Sequence, residues 1–212
     1  MSPKQDGVFM KGSLAALSLV SLPLFAGNVR VNLPGGSGEN YEGLTYFNGT
    51  PHWVSWDGVY RGTWFNTEDF VPGSTGFNMN HVEYWFYESA SYPWDTNQFY
   101  SEVWNGLQTG PEVLLALEVL TALHYAPCYH VIVPDLITEQ YFWCLVNTEI
   151  SAGGWPSILG DNSMPGDAGH SFFHDGLSWQ TWELGEYYIL AYWWYIGSSF
   201  EMTTWGALKT LF

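Results

Sequence analysis

Basic residues are scarce in this sequence. Its 212 residues contain 5 Lys and Arg against 21 Asp and Glu, which gives a formal net charge of −16 at pH 7. A nucleic-acid partner is excluded on this ground, because neutralising phosphates requires basic side chains. An anionic membrane surface is disfavoured for the same reason.

Cysteine and long apolar runs are also scarce. A disulfide between Cys128 and Cys144 and two separate buried thiols both remain open, and the spacing carries no CxxC zinc signature. Beyond the first residues, the longest apolar run is 187–196, which is too short to cross a bilayer. We therefore expect no membrane span.

The amino-terminal residues are typical of an export signal. The apolar run 14–26 follows Lys4 and Lys11, and its length suits the central region of a secretory signal. We predict a signal peptide over 1–26, a Gly-rich linker over 27–40, a domain over 41–205 and a tail or junction over 206–212. The expected location is outside the cell, secreted or on the cell surface.

Turn signals indicate a fold that is mainly β. Asn48-Gly49 and Asp57-Gly58 separate aromatic and β-branched runs, which is typical of tight hairpins, and the three runs around them predict a meander. Further short strands with regular turns predict an antiparallel β-sandwich or jelly roll.

One segment departs from this pattern. Residues 111–125 are rich in Leu and Ala, and Pro111 and Glu112 suit the first turn of a helix, so we predict a helix there. Apolar residues also alternate with period two along it, which leaves a strand open.

The strings GFNMNHVEYWFY, FWCLVNTEISAGGWPSILGD, GHSFF and TTWGALKTLF give the chain a family resemblance. It resembles a β-sandwich accessory domain of secreted multidomain bacterial proteins, over most of residues 40–106 and 138–182. In those proteins the last string precedes a C-terminal sorting domain of the type IX secretion kind, which is not part of this sequence. The resemblance implies an exported accessory module and names no catalytic residue.

Aromatic residues are unusually abundant in this sequence. The chain has 13 Trp, 14 Tyr and 13 Phe, or 19% of its residues. Indole faces beside carboxylates or amides suit sugar rings, whereas a Trp within a sandwich core is the ordinary alternative. The candidate ligand-binding residues, all in or beside predicted turns and strand ends, are Trp53, Trp56, Trp64, Trp94 and Trp155.

A second candidate site lies on the loop LGDNSMPGDAGH. Its oxygen donors Asp161, Asn162 and Asp167 suit a hard cation, which makes Ca²⁺ the one candidate cofactor. An Asx turn explains the same residues without a cation.

No catalytic motif is present: the sequence contains no GxSxG, no P-loop and no HExxH. The sequence therefore favours an exported non-catalytic β-sandwich module for adhesion or substrate attachment, with carbohydrate or cell-surface components as candidate partners. A secreted glycosidase-like hydrolase and a purely structural spacer remain as alternatives.

Overall fold

The structure, a computed structural model, describes residues 42–163 and 169–195 as an antiparallel β-sandwich, which confirms the predicted fold class. The predicted signal peptide, linker and tail lie outside these ranges. The described strands are β1 (Glu42–Leu44), β2 (Trp53–Ser55), β3 (Tyr60–Asn66), β4 (Phe77–Trp85), β5 (Gln98–Asn105), β6 (Val113–Thr121), β7 (Pro127–Ile137), β8 (Tyr141–Asn147), β9 (Ile158–Gly160), β10 (Ser171–His174), β11 (Trp179–Thr181) and β12 (Ile189–Tyr195). A short 3-10 turn over Thr67–Asp69 follows β3.

Two large sheets form the layers. One has four strands in the order β1-β12-β4-β7, and the other has six in the order β11-β10-β3-β8-β5-β6. A two-stranded sheet, β2-β9, is tied to the end of β4 and the start of β12 by bridges from Ile158 to Phe86 and from Gly160 to Tyr187. This small sheet closes one end of the sandwich.

The main core lies between the two large sheets. Because side chains alternate along a strand, Val82 and Tyr84 of β4 face Val103 of β5 and Val146 of β8 in one buried cluster. The Tyr84 hydroxyl lies 2.7 Å from the hydroxyl of Ser101 on β5, so a hydrogen bond also joins the two layers. Burial and this bond together fix how the sheets face each other.

The first three strands do not form the predicted meander. Gly49 and Gly58 do adopt the positive φ values, 82° and 71°, that the turn signals require. However, β1 pairs with β12, β2 with β9 and β3 with β8 and β10, so each strand joins a different sheet. The turns were local and predictable, whereas the strand partners are distant in sequence.

The predicted helix at 111–125 is also wrong. Residues Val113–Thr121 form β6, which pairs with β5 at the edge of the six-stranded sheet. Leu115 and Leu120 pack against the core, while Leu117 and Val119 are about half exposed. Pairing with β5 therefore overrides the helix propensity of Leu and Ala.

The two cysteines are free thiols buried in the core, Cys128 on β7 and Cys144 on β8. Burial raises the pKa of Cys128 to about 12, so its thiol stays protonated at neutral pH. No helical stretch among the described residues is long and apolar enough to cross a bilayer.

Candidate functional site

Three aromatic rings meet where the small sheet closes the sandwich. The ring centroid of Trp56 lies 5.4 Å from that of Tyr92 and 5.3 Å from that of Trp155, at interplanar angles of 28° and 30°. Tyr92 is exposed, and the two indoles are half-buried. We call Trp56, Tyr92 and Trp155 the end cluster.

Strand pairing brings these residues together. In the small sheet Ser55 is the partner of Ile158, so Trp56, just after Ser55, comes beside the segment that leads into Ile158 and contains Trp155. The backbone N–H of Tyr87 donates to the Ser157 carbonyl over 3.2 Å, which brings the 88–97 loop and its Tyr92 to the same place.

Asp95 holds the Trp155 loop in position. Its Oδ1 accepts a 2.7 Å hydrogen bond from the Ser151 hydroxyl, and its Oδ2 accepts the N–H groups of Ala152 and Gly153 at 3.0 and 3.2 Å. A carboxylate that accepts three donors ties one loop to another strongly. Asp95 is therefore a positioning residue for the end cluster.

Arg61 supports the same loop from inside the protein. Its side chain is fully buried and donates to the carbonyls of Gly58, Gly154 and Pro156 at 3.2, 2.7 and 3.0 Å, the last two on either side of Trp155. Burial lowers the pKa of Arg61 to about 10, which still leaves it charged at neutral pH. Arg61 is the one Lys or Arg among the described residues, so their surface carries none.

An open groove of about 480 Å³ lies beside the loop that carries Tyr92. The 88–97 loop supplies Glu88, Trp94 and Asp95 to it, and the segment just after β6 supplies Leu123 and His124. The Trp94 indole N–H donates to the Ser157 hydroxyl over 3.0 Å, which fixes the ring in the wall of the groove.

The site can stack flat rings, donate hydrogen bonds through indole N–H groups and accept them through nearby carboxylates. No described residue accepts a hydrogen bond from the indole N–H groups of Trp56 and Trp155, so both are available to a ligand. The nearby formal charges are carboxylates, among them Asp57 and Glu88. Aromatic faces with a few polar groups suit polyhydroxylated ligands, and this charge disfavours anionic ones.

The structure therefore brings three of the five predicted tryptophans to one place: Trp56 and Trp155 in the end cluster, and Trp94 in the groove. Trp53 lies apart, against the main core and edge-on to His52 at 4.6 Å. Trp64 lies on the outer face of the six-stranded sheet, stacked on Tyr141 at 5.6 Å. Tyr92 was not predicted from the sequence, although it lies two residues before the predicted Trp94 in the same Pro-containing loop.

Trp64 belongs to a second aromatic group. Trp64, Trp143 and Trp104 are register partners on β3, β8 and β5, so they stand side by side. Trp143 packs with Phe172 and Trp179 at centroid distances of 5.1 and 5.0 Å. We call this set of Trp64, Trp104, Trp143, Phe172 and Trp179 the outer-face cluster.

The loop after β5 covers this group. Trp64 and Trp143 donate their indole N–H groups to the carbonyls of Gly106 and Leu107 at 3.2 and 3.0 Å. Trp104 donates to the Glu102 carboxylate at 2.7 Å. Trp143 is fully buried on what would be a solvent-facing side of the sheet, so the group acts as a second small core.

At the predicted cation site, the carboxylate of Asp161 already accepts hydrogen bonds from the protein itself. Asp161 is buried, and its carboxylate accepts N–H groups from Asn48, Ser163 and Glu186 at 2.6–2.9 Å and the Ser163 hydroxyl at 2.7 Å. Asn162 accepts the Asn48 side-chain amide at 3.0 Å. These bonds build the loop without a cation. Asp167 lies outside the described residues, and calcium binding stays a prediction.

One serine contacts a histidine. The Ser101 hydroxyl lies 2.8 Å from Nδ1 of His130, whose Nε2 lies 3.8 Å from the Glu118 carboxylate. Ser101 is fully buried and its hydroxyl also bonds Tyr84, so no substrate can reach it in this state. The arrangement ties β5 to β7.

The chain matches no protein-family model, no curated protein and no solved structure.

Proposed function

We propose that this β-sandwich is an exported, non-catalytic module that attaches to carbohydrate through the end cluster and the adjoining groove. The observation that carries the proposal is the juxtaposition of Trp56, Tyr92 and Trp155, three partly exposed rings at one end of the fold. A sugar ring that stacks on such a surface buries its C–H faces against the aromatic rings.

Polar groups around the rings support recognition of hydroxyls. The free indole N–H groups of Trp56 and Trp155 are donors, and the carboxylates of Asp57 and Glu88 are acceptors. The loop is held beforehand by Asp95 and Arg61, which reduces the entropy lost when a ligand binds. Attachment through a rigid surface requires no catalytic group.

The test is retention of the full chain on insoluble polysaccharides, with cellulose, chitin and xylan in parallel. We expect retention on at least one polymer, and we expect Trp155→Ala and Tyr92→Ala to abolish it, because each removes a stacking face. Trp104→Phe is the matched control, since Trp104 belongs to the outer-face cluster. Melting curves establish that each variant is folded.

Two results would contradict carbohydrate attachment. The first is a folded wild-type protein that no polymer retains, which would favour the spacer role. The second is retention that Trp155→Ala and Trp104→Phe reduce equally, which would place any binding outside the end cluster.

A further inference from the structure

One carboxylate in the groove has no hydrogen-bond partner in the part of the chain that the structure describes. Glu88 is exposed, and its carboxylate accepts no hydrogen bond from any described residue. Asp95, the other acid of the groove, already accepts three donors from the Trp155 loop. Glu88 is therefore the acid in the groove that is free to contact a ligand.

Among the described residues, no Lys or Arg lies at the surface to neutralise this charge. The one described Lys or Arg, Arg61, is buried beneath the Trp155 loop. His124 also lines the groove, and its Nδ1 accepts the backbone N–H of Glu88 at 3.0 Å. Asp57, beside Trp56, adds a second exposed acid to the same end of the molecule.

An aromatic wall stands in the same groove. Trp94 is half-buried, and its indole N–H is bonded to Ser157, so the ring is held in place. A cation near an aromatic face is attracted by the ring, and a carboxylate that lines the same small space adds a charge interaction. This pairing of groups suits an ammonium.

We propose that the groove selects glycans that carry a free amine, with the sugar ammonium held by Glu88 beside Trp94, a selectivity that rests on the carbohydrate attachment proposed above. Neutral sugars would bind the end cluster and the hydrogen-bond acceptors of the groove without this charge interaction. Uronates, sulfated sugars and phosphorylated sugars would be repelled by the acids.

The experiment measures binding of three soluble trisaccharides to the full chain by titration calorimetry. They are glucosamine, N-acetylglucosamine and glucose trimers, all β-1,4-linked, at physiological ionic strength and at a mildly acidic pH that protonates the amine. We expect the glucosamine trimer to bind about tenfold more tightly than the other two, which corresponds to one charge-assisted contact of about 1.4 kcal/mol.

Two variants separate the contact from bulk charge. Glu88→Gln keeps a hydrogen-bond acceptor but removes the charge, so the glucosamine trimer should lose its tenfold preference and bind about as tightly as the other two. Glu112→Gln removes the same charge from an exposed residue at the other end of β6, and it should keep the preference.

Each other outcome overturns a specific statement. Equal affinity for the three trimers, or a preference that survives Glu88→Gln, overturns amine selection while attachment stands. A preference lost equally in both variants assigns it to net charge and also overturns amine selection. Absence of binding to all three trimers, together with no retention on polysaccharides, removes the proposed function itself.

Discussion

Two groups of aromatic rings lie at different places on this sandwich, and they differ in what their polar edges do. In the outer-face cluster the indole N–H groups of Trp64, Trp104 and Trp143 donate to acceptors within the protein, while that of Trp179 has no acceptor among the described residues. In the end cluster those of Trp56 and Trp155 have no acceptor among the described residues. Three satisfied indoles out of four mark the first group as part of the structure, while the open edges of both indoles in the second group are available to a ligand.

The largest effect on stability should come from removing one indole from each group and comparing the two losses. Trp143→Ala removes a fully buried indole, and we expect a loss of about 3–5 kcal/mol in the free energy of unfolding. Trp155→Ala removes a half-buried ring, and we expect a loss of about 1 kcal/mol or less. Urea unfolding of both variants measures the difference, and equal losses would erase the distinction between the groups.

A smaller effect should come from Arg61, which connects the interior to the end cluster. Arg61→Met fills similar space but leaves the carbonyls of Gly58, Gly154 and Pro156 without their donor. We expect a stability loss of about 2–3 kcal/mol, and weaker glycan retention because Trp155 lies between two of those carbonyls. Arg61→Lys is the control that keeps the charge and loses the forked geometry.

Unchanged retention in a folded Arg61→Met protein would show that the Trp155 loop holds its position without this side chain. In that case Asp95 alone would account for the placement of the end cluster.

Smaller effects than those of Trp143 and Arg61 should come from two glycines that lie against indole rings, one in each group. A Cβ on Gly153 would approach Nε1 of Trp155 to 2.6 Å, so Gly153→Ala must push the ring aside. Since that ring is on the surface, we expect a loss of less than about 1 kcal/mol with a clear fall in glycan affinity.

The partner variant is Gly110→Ala, whose Cβ would lie 3.0 Å from Cδ1 of Trp179 at a φ of 154°. We expect a larger loss, of about 1–3 kcal/mol, because the backbone is strained as well, and no change in glycan affinity. Melting temperatures and retention assays of the two variants measure both effects. The opposite pattern would mean that the outer-face cluster is the binding surface.

Local features of this chain were predictable from sequence, and non-local ones were not. Asn48-Gly49 and Asp57-Gly58 correctly indicated positive-φ turns, and the short strands with regular turns correctly indicated a sandwich. The helix predicted at 111–125 was wrong because the pairing of β6 with β5 decides its conformation. The intrinsic helix or strand propensity of a segment carries no information about which distant strand it pairs with.

The same limit applies to the candidate site. Trp56 and Trp155 were singled out one at a time, yet their contact depends on the pairing of Ser55 with Ile158, which lies far along the chain. Trp143 is buried on the outer face of its sheet because the loop after β5 covers it, and Leu107 of that loop is 36 residues away in sequence. Asp95 and Arg61 gave no sequence signal, because their roles consist of contacts with distant main-chain groups.

The burial of Arg61 affects the susceptibility of the protein to proteolysis. Enzymes of the trypsin type cut after Lys or Arg, and residues 62–208 offer them no such bond. The one such position among the described residues, Arg61, is fully inside the folded protein and lies on a paired strand. Cleavage there requires the sandwich to open, so the intact domain presents a trypsin-like enzyme with a surface that it cannot digest.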